Sequence, residues 1–283
     1  MGDKKTFTNL EVGDTVYYCC VRGVMGYNAL KHVPSITLRK MQVAKLPYKY
    51  VARNDWFERF YIKLIDEDGK INRIELDLRI EERRLKDSLR RNSDVNNSLR
   101  VESSVLDAEE FIGVTKEGVM KTVMARLEQL LIWDVERLDS LKIAYRLNTE
   151  ELKALNAMVC DDAMDAKKKD LHDLHVGNYV YCLANKKSGF EWVKSKIVSN
   201  NISNRFTILY KKGRAEVVFK NKKDDGCFAG TCRFGTVGRT KEDAKQFAIN
   251  DINTKLANIQ ESINEVEELC KRYKNLMVEA EKI

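Results

Sequence analysis

The feature that most constrains this chain is an internal repeat. Residues 10–17 read LEVGDTVY and residues 174–181 read LHVGNYVY, at an offset of 164 residues. Two further matches follow in the same order, namely 60–76 with 204–220 at offset 144 and 114–117 with 239–242 at offset 125. Collinear matches of this kind predict two copies of one structural unit. The differences between successive offsets place 20 extra residues before the hairpin of the first copy and 19 after it.

Each copy starts with a sequence typical of β-strands. Aromatic and β-branched residues follow a Gly-Asp or Gly-Asn turn, and apolar residues alternate with others in Phe60-x-Ile62-x-Leu64. Gly69 and Gly213 supply the glycine that favours a tight hairpin. Four or five short strands with one apolar face close most economically as a barrel, so we predict a small SH3-like β-barrel in each copy.

A long helix is predicted to follow each barrel. Thr115 and Thr240 precede acidic residues, as helix N-caps do. Apolar residues from Ile249 to Met277 recur at alternating spacings of three and four, which predicts a heptad-patterned amphipathic helix. In the first copy, residues 148–151 predict a break in the helix and the start of a short second helix. The predicted helix-pairing residues are Leu127, Leu131, Leu138, Leu141, Ile252, Leu256, Ile259, Ile263 and Val266.

Together these patterns predict an α+β fold of two tandem SH3-like barrels, each followed by a long amphipathic helix. Since such a helix is too long to bury its apolar seam on one barrel, we expect a helical hairpin or coiled coil, formed within one chain or between two chains. The predicted segments are an elaborated barrel with insertions (1–113), a long helix plus a short helix (114–168), a second, basic barrel (169–238) and a heptad-patterned helix (239–283).

The second copy carries the main electrostatic feature of the sequence. Residues 186–239 contain 13 Lys/Arg and 4 Asp/Glu, in a chain of net charge +7. Cations interleaved with aromatic residues are typical of surfaces that contact phosphates and stack bases, while an acidic protein partner and plain solvation are the alternatives. The candidate residues for binding nucleic acid or an acidic partner are Lys186, Lys187, Lys194, Lys196, Arg205, Lys211, Lys212, Arg214, Lys220, Lys222, Lys223 and Trp192.

Aromatic residues in the insertions of the first copy form a second candidate surface. Aromatic side chains outside a core commonly cover a partner or a neighbouring domain. Packing against the helices of the same chain is the alternative interpretation. The candidate partner-binding residues are Tyr27, Tyr48, Tyr50, Trp56 and Phe57.

Motifs of the common catalytic sites are absent from the sequence. It contains no Gly-x-Gly-x-x-Gly, P-loop, His-Glu-x-x-His or Gly-x-Ser-x-Gly segment. We therefore expect no enzymatic activity, no cofactor, no metal and no small-molecule substrate. Seven irregularly spaced cysteines favour free thiols in a reducing compartment. The absence of a signal-peptide pattern and of a long apolar stretch predicts a cytoplasmic protein without membrane contact.

Both copies share a Val-Gly-Asp/Asn turn, a hairpin, a phenylalanine and a Thr-Lys-Glu helix start. These features lie at 12–14, 111 and 115–117 in the first copy, and at 176–178, 234 and 240–242 in the second. In them, each copy resembles a small SH3-like β-barrel-plus-helix module that recurs in uncharacterised bacteriophage and mobile-element proteins. The resemblance implies a location in the host-cell cytoplasm or the virion.

The resemblance and the charge pattern together lead us to expect a non-enzymatic binding or scaffolding protein. It would contact nucleic acid or an acidic protein surface through its second barrel. The alternative is a structural component of a virion or comparable assembly, in which barrels and helices mediate protein–protein packing or self-association.

Overall fold

The computed structural model describes residues 6–24, 29–50, 59–76, 89, 98–101, 108–160, 175–186, 189–201, 205–210, 213–220, 229–232 and 235–283. The first six strands are β1 (Thr15–Arg22), β2 (Ser35–Tyr50), β3 (Arg59–Ile65), β4 (Ile71–Leu76), β5 (Ser98–Val101) and β6 (Ala108–Gly113). The next six are β7 (Tyr179–Lys186), β8 (Gly189–Asn201), β9 (Arg205–Tyr210), β10 (Gly213–Lys220), β11 (Ala229–Cys232) and β12 (Gly235–Gly238). Two long helices are α1 (Lys116–Ala157) and α2 (Lys241–Lys282), and a 3-10 turn spans Ala29–Lys31.

The strands form two closed antiparallel barrels. β1 to β6 pair in chain order and close through β1 and β6, while the second barrel follows the order β10-β11-β12-β7-β8-β9 and closes through β9 and β10. Alternate side chains fill each interior, such as Val16 and Ile62 in the first barrel and Val180 and Ile208 in the second.

Helical residues cover the outer side of β1. Cys19 and Val21 belong to an apolar cluster that also contains Leu127 of α1 and both Tyr273 and Leu276 of α2. The apolar cluster beside β7 is built in the same way. It contains Leu183 of β7, Leu155 of α1 and Ala244, Ala248 and Ile252 of α2. Since outward apolar side chains are stabilised by removal from water, each barrel depends on residues from both helices.

The last turns of α2 are held by hydrogen bonds as well as by apolar contacts. Arg272 Nη1 donates to the carbonyl oxygens of Ala29 and His32, both at 2.8 Å, at the 3-10 turn. The Tyr273 hydroxyl donates to Asp134 Oδ2 of α1 at 2.9 Å. A charged donor that satisfies turn carbonyls gives this end of the helix a specific position on the first barrel.

The chain divides into two compact units, and neither consists of a barrel with only the helix that follows it. One unit contains Met1–Asp139 and Ile263–Ile283, and the other contains Ser140–Ser262. The predicted fold, in which each SH3-like barrel of four or five strands carries its own helix, is therefore wrong. Each barrel has six strands, and each unit takes residues from both helices. The physical reason is length, because a 42-residue helix extends about 63 Å, more than a small barrel can cover.

Strand β6 departs most from the sequence expectation. Its neighbouring Glu109 and Glu110 are only 2% and 8% exposed, although acidic residues are rarely buried in strands. Arg126 of α1 offsets the desolvation of Glu109, since Nε donates to Oε2 at 2.8 Å and Nη2 to Oε1 at 2.6 Å. A buried carboxylate of this kind is recognisable only once its partner from a helix is known.

Helix α1 continues through the predicted break at residues 148–151. Asn148 Nδ2 donates to the Ala144 carbonyl at 2.8 Å, and Thr149 Oγ1 donates to the Tyr145 carbonyl at 2.9 Å. Bonds to the carbonyl four residues earlier satisfy short polar side chains inside a helix, so the predicted break and short second helix are wrong.

Both predicted N-caps are confirmed. Thr115 Oγ1 accepts from the Gly118 amide, and Thr240 Oγ1 accepts from the Asp243 amide, each at 3.0 Å. These bonds satisfy amides in the first turn that have no partner within the helix.

The predicted helix-pairing residues lie on buried or half-buried positions. Leu127, Ile252, Ile263 and Val266 are buried, and Leu131, Leu138, Leu141, Leu256 and Ile259 are half-buried. The apolar clusters that contain Leu127 and Ile252 also contain strand residues. The apolar seams of the helices are therefore buried by the barrels as well as by the other helix. The apolar residues Ile132, Trp133 and Val135 are 57%, 50% and 42% exposed, which departs from the amphipathic pattern predicted for the first helix.

A first prediction concerns the buried ion pair. Arg126→Met leaves the buried Glu109 carboxylate with Arg100, a cation 3.5 Å away that is 41% exposed and therefore a poorer partner. We expect urea denaturation to show a loss of about 3–5 kcal/mol in the free energy of unfolding, and Arg126→Met/Glu109→Leu to recover most of it. Arg137→Met removes a 57% exposed cation 4.0 Å from Asp134 and should cost less than about 1 kcal/mol. An unchanged unfolding midpoint for Arg126→Met would contradict the prediction.

A second prediction concerns cysteine reactivity. Burial, followed by the neighbouring Cys20, raises the pKa of the Cys19 thiol to about 12. A raised pKa depletes the reactive thiolate at any pH below it, so at about pH 8 native Cys19 should resist iodoacetamide. Cys160 is half-buried and should be alkylated before Cys19, as peptide mapping by mass spectrometry would show. Equal alkylation of Cys19 and Cys160 in the folded protein would show that β1 is not covered.

Candidate nucleic-acid interface

Strands β7 and β8 place two tyrosines and two lysines together on the outside of the second barrel. Tyr179 pairs with Lys196, and Tyr181 pairs with Lys194. The intervening Val180 is fully buried, so the alternation of a strand directs its neighbours outward. We call Tyr179, Tyr181, Lys194 and Lys196 the Tyr–Lys face. Tyr179 is 53% exposed, both lysines are exposed and Tyr181 is half-buried.

Ammonium groups lie over both tyrosine rings. Lys194 Nζ is 4.9 Å from the ring centroid of Tyr179 and 5.9 Å from that of Tyr181. Lys241, in the first turn of α2, brings its Nζ to 5.6 Å from the Tyr181 centroid. Cation–π attraction stabilises the position of these ammonium groups over the rings. The face therefore combines aromatic area with concentrated positive charge.

The start of α2 is brought to this face by close packing at Gly238. Gly238 of β12 pairs with Tyr181, and a Cβ at Gly238 would overlap the backbone of Ala244. Arg239, the next residue, has a buried guanidinium nitrogen, Nη1, without a hydrogen-bond partner among the described residues. A buried guanidinium donor without a hydrogen-bond partner costs free energy.

Only some of the sequence-predicted binding residues can be placed with their side chains. Lys194 and Lys196 belong to the Tyr–Lys face, whereas Trp192 lies farther along β8 in the cluster with Leu183 and Ala248. For four candidates only the strand position is described and not the side chain: Lys186, Arg205, Arg214 and Lys220. Five others lie outside the described residues: Lys187, Lys211, Lys212, Lys222 and Lys223.

Of the predicted partner-binding aromatics, Tyr48 is described in full. Its half-buried ring lies 6.3 Å from the ring of Tyr61, and Lys45 Nζ lies 4.0 Å above it. The Tyr61 hydroxyl donates to Glu75 Oε2 at 2.8 Å, and burial followed by this bond raises the pKa of Tyr61. Tyr48 therefore packs within its own barrel surface. Tyr50 lies at the end of β2 without a described side chain, and Tyr27, Trp56 and Phe57 lie outside the described residues.

The sequence interpretation missed four residues of this region, namely Tyr179, Tyr181, Arg239 and Lys241. Tyr179 and Tyr181 stand two residues apart in the repeated segment, so the period of a strand could have placed both on one face. The sequence alone could not have assigned Arg239 and Lys241 to this region. Their place beside β7 follows from the pairing of β12 with β7 and from the packing of α2 at Gly238.

The described residues contain no group of three or more His, Cys, Asp or Glu side chains arranged to hold a metal ion. Neither α1 nor α2, the helices within the described ranges, is long and apolar enough to cross a membrane. No protein-family model matches this sequence, and comparisons with curated proteins and with solved structures found no match.

Proposed function

We propose that this chain is a non-enzymatic binding protein that contacts nucleic acid through the Tyr–Lys face. The observation that carries the proposal is the register of β7 and β8, which sets Lys194 and Lys196 beside Tyr179 and Tyr181. Lysines on such a face neutralise phosphates and release counterions, while exposed aromatic rings offer contact area for bases.

The charge of the surrounding segment supports this choice of partner. Residues 186–239 carry 13 Lys/Arg against 4 Asp/Glu, so the field around the second barrel attracts polyanions. Lys241 adds a cationic group 5.6 Å from the ring centroid of Tyr181. An acidic protein is attracted by the same charge, but two tyrosine rings on one face favour a partner with flat aromatic groups.

A comparison of the two barrels supports a specialised second copy. The corresponding positions of β1 and β2 hold Thr15 opposite Gln42 and Tyr17 opposite Lys40. Local geometry is nevertheless repeated, since the Gly13 amide donates to the Val43 carbonyl and the Gly177 amide to the Ile197 carbonyl, both at 2.8 Å. We infer that the barrels arose by duplication; the second carries one tyrosine and one lysine more on this face than the first.

Packing against further copies of this chain in an assembly is the second candidate function. The exposed apolar side chains of Ile132, Trp133 and Val135 on α1 favour it. Sedimentation velocity over a range of concentrations separates the two roles. A discrete species favours the nucleic-acid-binding protein, and large concentration-dependent species favour the assembly component.

The proposal predicts salt-dependent binding that requires the Tyr–Lys face. Labelled oligonucleotides should bind in fluorescence anisotropy at about 50 mM salt and dissociate as salt rises. Lys194→Ala/Lys196→Ala removes two exposed cations and should reduce the slope of log K against log salt by about 1.4, since each phosphate contact with a single strand contributes about 0.7.

A matched control is Lys121→Ala/Lys255→Ala, which removes the same charge. Both lysines form exposed i,i+4 ion pairs at 2.7 Å, with Glu117 and Asp251. We expect this control to leave the salt slope unchanged. Absence of binding at low salt, or equal loss in both double variants, would overturn the proposed function.

A further inference from the structure

We infer that the Tyr–Lys face selects single-stranded nucleic acid, because Tyr179 and Tyr181 stack on bases that a duplex keeps covered. This inference rests on the proposed function and specifies its substrate class.

The spacing of the two rings is the first argument. Tyr179 and Tyr181 stand two residues apart on β7, and at about 3.4 Å per residue their Cα atoms are separated by about 6.8 Å. Successive bases along one strand of a duplex are about 3.4 Å apart, half that distance. Bases that stack on both tyrosines must therefore be unstacked from each other, which an extended single strand permits.

Access to the base faces is the second argument. Inside a duplex, both faces of each base are covered by neighbouring pairs, so a tyrosine ring can stack only on an unstacked or flipped base. The tyrosines lie on the outer surface of a barrel, with Tyr179 53% exposed. An exposed ring with two side-chain torsions loses little conformational entropy on binding and provides a stable stacking platform.

The position of the cations is the third argument. Lys194 lies within 6 Å of both ring centroids, and Lys241 lies on Tyr181. Positive charge this close to the rings attracts the phosphates of a strand whose bases stack on this face. Because every base has a π-face, this arrangement predicts weak sequence preference.

The test compares a roughly 15-nucleotide oligothymidine with a duplex of similar length, bound to the full chain. Tyr179→Leu/Tyr181→Leu keeps apolar side chains on β7 and removes both rings. Tyr179→Phe/Tyr181→Phe keeps the rings and removes the hydroxyls. Thermal melting verifies folding, and Tyr179→Leu alone serves if the double leucine variant melts early, since Tyr179 is the more exposed ring.

We expect the double leucine variant to bind the single strand at least about tenfold more weakly and the duplex unchanged, with the phenylalanine variant close to wild type. If the leucine variant keeps its affinity for the single strand, or if the duplex binds as tightly as the single strand, the inference fails. The proposed function then still stands, provided that Lys194→Ala/Lys196→Ala weakens binding. If neither nucleic acid binds at low salt, the proposed function fails and the inference fails with it.

Discussion

The helical cover on the outer sides of β1 and β7 is the constraint on which the rest of this structure depends. Both strands are apolar on two sides, with Val16 and Val180 inside the barrels and Cys19, Val21 and Leu183 outside. A barrel interior satisfies one side only, and the other must be removed from water by another element. The helices meet this need with residues from both of their halves, which explains why each compact unit contains parts of α1 and α2.

The limit of that cover defines the candidate interface. Along the outer side of β7, Leu183 lies in the cluster with Ala244 and Ala248, whereas Tyr181 is half-buried and Tyr179 is exposed. Over three successive outward positions of β7, from Leu183 to Tyr179, the side chains thus change from buried to exposed. Trp192 lies on the covered part of β8, and Lys194 and Lys196 follow it on the exposed part. Because the Tyr–Lys face adjoins a packed apolar cluster, its rings and charges stand on backbone that packing holds in place.

Polar interactions complete the cover where apolar contacts cannot. Glu109 is buried against Arg126, and the carbonyls of the 3-10 turn are satisfied by Arg272. In each case a helix supplies the guanidinium and the first barrel supplies the acceptor. Such bonds contribute modest net free energy when formed but cost more when one partner is lost, so they specify where a helix lies on the barrel.

The sequence by itself determined the local features of this protein: the Val-Gly turns, the N-caps at Thr115 and Thr240, and the long helices. Each depends on residues within a few positions of one another. Two residues of the Tyr–Lys face, Lys194 and Lys196, were also within reach of sequence reasoning. Only the tertiary structure decided the six-stranded closure, the burial of Glu109, the covering of Trp192 and the place of Lys241 beside Tyr181. Each of these depends on contacts between residues far apart in the chain, and a helix that serves two barrels shows no local sign of where one packing surface ends and the next begins.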